Sequence, residues 1–112
     1  MQNKTASEMA NLIIDLLIKE FNNKAEDFVI YNVNEDINHK QFNIDFTAYN
    51  FYICTIGYER GSFGCGIKSG GVSISLIRGW YEDLDFDIFI KDLKYELELR
   101  IPDKYLKAKG WL

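Results

Sequence analysis

A single histidine, a single proline and two cysteines are all this chain has of the residues that most often build metal sites, breaks and cross-links. His39 has no second ligand type beside it, and Cys54 and Cys65 form no CxxC pair, so no zinc-type spacing exists and neither metal nor cofactor is expected. Two cysteines are also too few for a disulfide framework, and they read as buried free thiols. No GxGxxG or GK[ST] loop is present to cradle a phosphate. A Ser/His/Asp triad would have to use His39, yet no serine stands in a strand-to-helix elbow. No catalytic residue is therefore assigned, and His39 reads as a solvated loop residue. No apolar run approaches the roughly 20 residues of a membrane span. Polar Gln2 to Glu8 stands where a secretory leader would carry its apolar core, so a cytoplasmic chain is expected. Basic residues are in deficit, 13 against 17 acidic for a net charge of −4, which argues against a surface that tracks nucleic-acid phosphates and suits a basic partner.

What the chain has in quantity is alternating and β-branched sequence between Phe42 and Ile77. Phe42, Ile44, Phe46 and Ala48 alternate with Asn43, Asp45, Thr47 and Tyr49, which is the period of a strand with one wet face. Residues 51–58 are apolar on both faces, Phe51/Ile53/Thr55 and Tyr52/Cys54/Ile56/Tyr58, and predict a central strand covered on both sides. Glu59-Arg60-Gly61-Ser62 reads as a hairpin turn, after which 63–68 returns antiparallel. Pairing Tyr58 with Phe63 sets Ile56 against Cys65 and Cys54 against Ile67, so the two cysteines lie diagonally. Gly64 and Gly66 inside this strand mark a bulge or room for a helix, with ligand contact as the sharper reading. Ser69-Gly70-Gly71 turns into a strand over 72–77, which Arg78-Gly79 is expected to break. An earlier strand is predicted over 28–33, followed by a polar connection from Asn34 to Gln41.

Two helices flank the sheet. Thr5 and Glu8 have capping-box spacing at the start of a helix over 5–21. Its polar residues fall on one stripe (Glu8, Asn11, Asp15, Lys19), so burial on most sides is expected, against the sheet and a second helix. Phe89, Ile90, Leu93, Leu97 and Ile101 form the inner face of a helix over 86–100 that Pro102 ends. A short helix from Asp103 follows, with Trp111 folding back. The fold class is α+β, a single antiparallel sheet of four to five strands (28–33, 42–49, 51–58, 63–68, 72–77) packed by these helices, and 1–112 forms one domain.

Between sheet and second helix lies Trp80-Tyr81-Glu82-Asp83-Leu84-Asp85-Phe86-Asp87, with four carboxylates and three aromatic rings in eight residues. Asp85 or Asp87 serves as a helix cap, which leaves the remaining acids unexplained. Read as plain structure, the acids are a solvated helix start and the rings of Trp80 and Phe86 pack inward. Read as a docking surface, Trp80 and Tyr81 supply contact area, while Glu82, Asp83, Asp85 and Asp87 pair with basic groups of a partner. Glu59 joins them if its hairpin turn projects at the same end of the sheet.

With Trp80-Tyr81-Glu82-Asp83 and an ending Leu99-Arg100-Ile101-Pro102-Asp103-Lys104-Tyr105-Leu106-Lys107-Ala108-Lys109-Gly110-Trp111, this small acidic chain resembles the immunity proteins of bacterial polymorphic-toxin and contact-dependent growth inhibition systems. The resemblance implies an inhibitor of a cognate toxin domain, commonly a nuclease, whose basic cleft it covers. The competing expectation is a small-molecule-binding domain or small enzyme, with an enclosed pocket over the sheet near Gly64, Gly66 and His39. A homodimer through an edge strand is compatible with either.

Overall fold

The computed structural model describes residues 4–69, 72–80 and 86–111, with side chains over 4–68 and 87–111. Helix α1 (Ala6–Phe21) leads through a short 3₁₀ turn (Asn22–Lys24) into five strands, β1 (Ala25–Asn34), β2 (Gln41–Ala48), β3 (Tyr52–Glu59), β4 (Ser62–Ser69) and β5 (Val72–Trp80). Helices α2 (Phe86–Arg100) and α3 (Asp103–Ala108) follow. The strands form one antiparallel sheet in chain order, so the expected α+β architecture is the one found, with all five strands present. No helix among the described residues is long and apolar enough to cross a membrane.

The start of α1 is fixed as its sequence predicts. Thr5 Oγ1 accepts from the Glu8 N–H at 3.1 Å while the Glu8 carboxylate accepts from the Thr5 N–H at 2.9 Å. A second carboxylate arrives from the β1–β2 connection: the Ala6 N–H donates to Glu35 Oε1 at 2.5 Å, and Ser7 Oγ to Glu35 Oε2 at 3.0 Å. The polar stretch Asn34–Gln41 is thereby tied to the positive end of a helix.

Alternation in β2 gives the core directly. Phe42, Ile44, Phe46 and Ala48 are buried, and Gln41, Asn43, Asp45 and Thr47 between them are half-exposed. Cys54, Ile56 and Tyr58 from β3 and Phe63, Cys65 and Ile67 from β4 join the same layer. Onto it pack Met9, Ile13, Leu17 and Phe21 of α1 and Phe89, Ile90, Leu93 and Leu97 of α2. The expected hairpin register holds at every pair named: Tyr58 opposite Phe63, Ile56 opposite Cys65, Cys54 opposite Ile67. Both thiols are free and buried, and burial pushes that of Cys54 up to about 12.

Three expectations are corrected. First, β3 is central but covered on one face only. Ile53 is 52% exposed, because both helices lie on the side of Cys54 and Ile56 and, among the described residues, no element packs on the other. Second, burial of α1 is narrower than its apolar stripe: Ala6, Met9, Ala10, Ile13, Leu17 and Phe21 face inward, while Ile18 is 47% exposed. Third, β5 does not break at Arg78-Gly79. Arg78 pairs with Gly64 and Gly79 with Phe63, and the strand runs on to Trp80 opposite Ser62. A glycine beside a bulky neighbour in the ladder continues the strand here. A bulge is found beside Gly66, but on the facing strand: Cys65 and Gly66 are consecutive while their partners are Ile77 and Ser75, so the extra residue is Leu76 of β5. Strand β1 is longer than the predicted 28–33 and has two register shifts, near Asp27 (φ 59°) and Asn32 (φ 54°), which interrupt an edge open to foreign strands.

The β2–β3 turn uses an unexpected residue. Tyr49 and Asn50 both have positive φ, 58° and 50°, with the Phe51 N–H donating to the Ala48 carbonyl at 3.0 Å. A bulky side chain rarely adopts this conformation. Tyr49 is held there by edge contacts to the rings of Phe21 and Trp111 and by a short hydrogen bond from its hydroxyl to the Glu98 carboxylate. Tyr105 adds a hydrogen bond from its hydroxyl to the Tyr49 carbonyl at 2.9 Å. The end of α3 is closed by paired bonds, Trp111 N–H to Leu106 carbonyl at 2.9 Å and Gly110 N–H to Lys107 carbonyl at 3.1 Å, with Gly110 at φ 77°. That closure is what turns Trp111 back onto Tyr49, as expected.

Candidate functional site

The uncovered face of the sheet presents Gln41, Asn43, Asp45 and Thr47 from β2, Thr55, Gly57 and Glu59 from β3, and Ser62, Gly64 and Lys68 from β4. Two polar assemblies organise it. At its middle, the Asp45 carboxylate accepts from Tyr31 Oη at 2.8 Å, Thr55 Oγ1 at 2.8 Å and Lys68 Nζ at 2.7 Å. Partial burial pulls the Asp45 carboxyl upward, but the bonds from Lys68, Thr55 and Tyr31 outweigh it and hold it below its ordinary value. Four neighbouring strands thus meet at one carboxylate. Sequence reasoning missed this group; the register Asp45 opposite Thr55 and Tyr31 opposite Asn43 is the signal that would have found it.

The second assembly stands at the end of the sheet that carries the β3–β4 turn. His39 Nε2 lies 2.7 Å from Glu59 Oε2, and His39 Nδ1 lies 3.2 Å from Arg60 Nη2. An arginine only donates, so Nδ1 accepts and Nε2–H is the donor to Glu59. Both ring nitrogens are therefore engaged, and the imidazole is 31% exposed, not freely solvated as a lone loop histidine would be. Its work here is to orient Glu59, whose side chain is 58% exposed.

Of the residues the sequence nominates, Glu59 and Trp80 come together by register. Glu59 pairs with Ser62, Ser62 pairs with Trp80, and Gln41 pairs with Glu59 from the other side. The turn does project at the end of the sheet where β5 finishes. Asp87 is exposed in the first turn of α2, beside a cleft of about 280 Å³ lined by Leu16, Lys19, Glu20, Ile90 and Lys91. Its position suits the helix dipole, though it stands inside the helix and is not its cap. Tyr81, Glu82, Asp83 and Asp85 lie outside the described residues.

Next to the Glu59 row is an open depression of about 410 Å³ whose described lining is Gln41, Asn43, Gly57, Tyr58, Glu59, Ser62, Phe63 and Gly64. Tyr58 and Phe63 turn their rings to the core, so the floor is backbone at the cross-strand pair Gly57–Gly64. Of Gly64, Gly66 and His39, Gly64 alone is in that lining. Among the described residues, no cluster of three or more His, Cys, Asp or Glu could hold a metal ion. No family model, curated protein or solved structure matches this chain.

Proposed function

We propose that this chain is a binding protein that neutralises another protein, a cognate toxin domain of the nuclease type, as the immunity proteins it resembles do. The contact is made at the Glu59–Trp80 end of the open sheet face and continues into the acidic run Glu82, Asp83, Asp85 and Asp87. The supporting observation is the register that sets Glu59, Ser62 and Trp80 in one row on a face with no helix over it among the described residues. Carboxylates there meet Lys and Arg around a substrate-binding cleft, and the net charge of −4 speeds the encounter through long-range attraction. The site of action is the cytoplasm.

Capture of the partner from the native cell, followed by association kinetics, tests this. A stoichiometric complex that silences the partner's activity is expected, with association slowing as salt rises. Replacing Glu59, Glu82, Asp83, Asp85 and Asp87 by their amides weakens it at least about tenfold. Salt-insensitive association, or full affinity in that variant, refutes the acidic surface. The 410 Å³ depression favours a second reading, a small-molecule ligand or substrate over the sheet. Native mass spectrometry separates the two by showing a copurifying small molecule or none, and reports in the same spectrum whether two copies associate.

A further inference from the structure

We infer that the depression over Gly57 and Gly64 is the seat of an arginine side chain inserted by the protein partner; this rests on the binding-protein reading and names the chemistry of its anchor. Gly57 is a glycine with no local reason to be one. It lies in the interior of the middle strand, where glycine weakens a sheet, and its φ is outside the left-handed region that would demand it. A Cβ built there meets a single nearby side-chain atom, Asn43 Nδ2 at 3.3 Å, and the residue across the ladder is glycine as well. What the pair leaves is a flat floor of peptide planes on the open side of the sheet.

The rim of that floor accepts hydrogen bonds. Glu59 contributes a carboxylate held by His39 through one oxygen, and no other partner of it is found among the described residues. Gln41 adds a carboxamide and Ser62 a hydroxyl, neither with a side-chain partner among the described residues, while Asn43 turns its Oδ1 to Asn32 at 3.3 Å and its Nδ2 toward Gly57. A negative charge beside two neutral acceptors over a planar surface is complementary to a guanidinium. That group is flat, carries five donors in a fixed fork and stacks on planar surfaces, whereas the ammonium of lysine is a compact point charge whose three donors splay tetrahedrally, so it cannot present a planar fork to the carboxylate or stack on the floor. Arginine is also among the residues most often found as an interface anchor.

The test is a titration of the isotopically labelled full chain, followed by amide chemical shifts, with blocked arginine (N-acetyl-arginine amide) and blocked lysine as probes. Saturable shifts at Gly57, Gly64 and Glu59 are expected with arginine, and binding at least about fivefold weaker with lysine. Gly57→Val, which fills the floor, and Glu59→Gln, which keeps the acceptor for His39 but removes the charge, each weaken arginine binding about tenfold or more. Unchanged shifts elsewhere in the sheet confirm that both variants fold. Absent or unsaturable shifts, equal response to the two probes, or wild-type binding by Gly57→Val overturn the inference. A captured partner whose affinity survives both substitutions likewise overturns it and leaves the binding-protein reading intact, whereas refutation of the acidic surface leaves the titration to decide the arginine seat alone.

Discussion

Replacing Gly57 by valine asks whether the fold itself needs the gap in the sheet. Glycine in a strand interior forfeits side-chain packing and releases more chain entropy on unfolding, a deficit of about 0.5–1 kcal/mol against ordinary residues. β-branched valine sits near the favourable end of a strand scale that spans about 1 kcal/mol. Against this stands one close approach, 3.3 Å from the new Cβ to Asn43 Nδ2. That atom is the end of a flexible side chain whose hydrogen bond is the 3.3 Å contact with Asn32, so it can yield by the few tenths of an ångström required. Opposite Gly57 is Gly64, which offers no Cβ to collide with the added methyl groups. The balance is a gain of about 0.5–1 kcal/mol, or a melting temperature raised by about 2–4 °C in a domain of this length. Urea denaturation followed by circular dichroism reads it as a higher midpoint at unchanged slope. A loss of more than about 1 kcal/mol would refute the reasoning, because it would mean that the chain's own atoms already use the space. A protein made more stable while its arginine binding disappears would instead identify Gly57 as a residue retained for recognition at the expense of the sheet.

The parts of the fold that could be read in advance are those where a local rule and the tertiary environment agree. Thr5 and Glu8 cap α1 because both capping bonds are made within four residues. The alternation of β2 holds from Gln41 to Ala48 because one face meets helices and the other does not, and it fails at Tyr49, which is expected on the wet face and is fully buried. Register across β3 and β4 follows once Arg60-Gly61 is taken as a two-residue turn. Legibility ends where the outcome depends on what lies overhead. Ile53 and Ile18 are apolar in the sequence but exposed in the structure, and no periodicity distinguishes an apolar residue under a helix from one beside it. Tyr49 at positive φ defies a rule of turn composition, because its ring and hydroxyl are held by Phe21, Trp111 and Glu98, all remote in sequence. At the candidate site, only the meeting of Glu59 with the end of β5 was within reach, through the direction of one hairpin. The His39–Glu59–Arg60 group and the Asp45 node join residues on different strands and loops, and become visible only when the register of every strand is known.

Two further outcomes follow from the packed polar groups. Tyr49→Phe removes the hydroxyl that donates to Glu98 and is expected to cost about 1.5–3 kcal/mol by thermal denaturation, with the fold kept by the Phe21 and Trp111 contacts; no loss would mean that this bond is not made in solution. Asp45→Asn is expected to cost about 1–2 kcal/mol at neutral pH, since it weakens charge-assisted bonds to a carboxylate whose side chain is 24% exposed. The pH dependence of that cost has a definite sign. The folded carboxyl is held below its ordinary value, and the unfolded one titrates near 3.9, so the unfolded chain binds the proton first as pH falls. The stabilisation is complete above the unfolded value, declines as pH drops through it, and is gone once the folded carboxyl is also protonated. Wild type and Asp45→Asn should therefore differ at pH 7 and converge below about pH 4, in chemical denaturation measured across that range. A gap that stays constant to low pH would show that Lys68, Thr55 and Tyr31 act on Asp45 through shape and not through its charge.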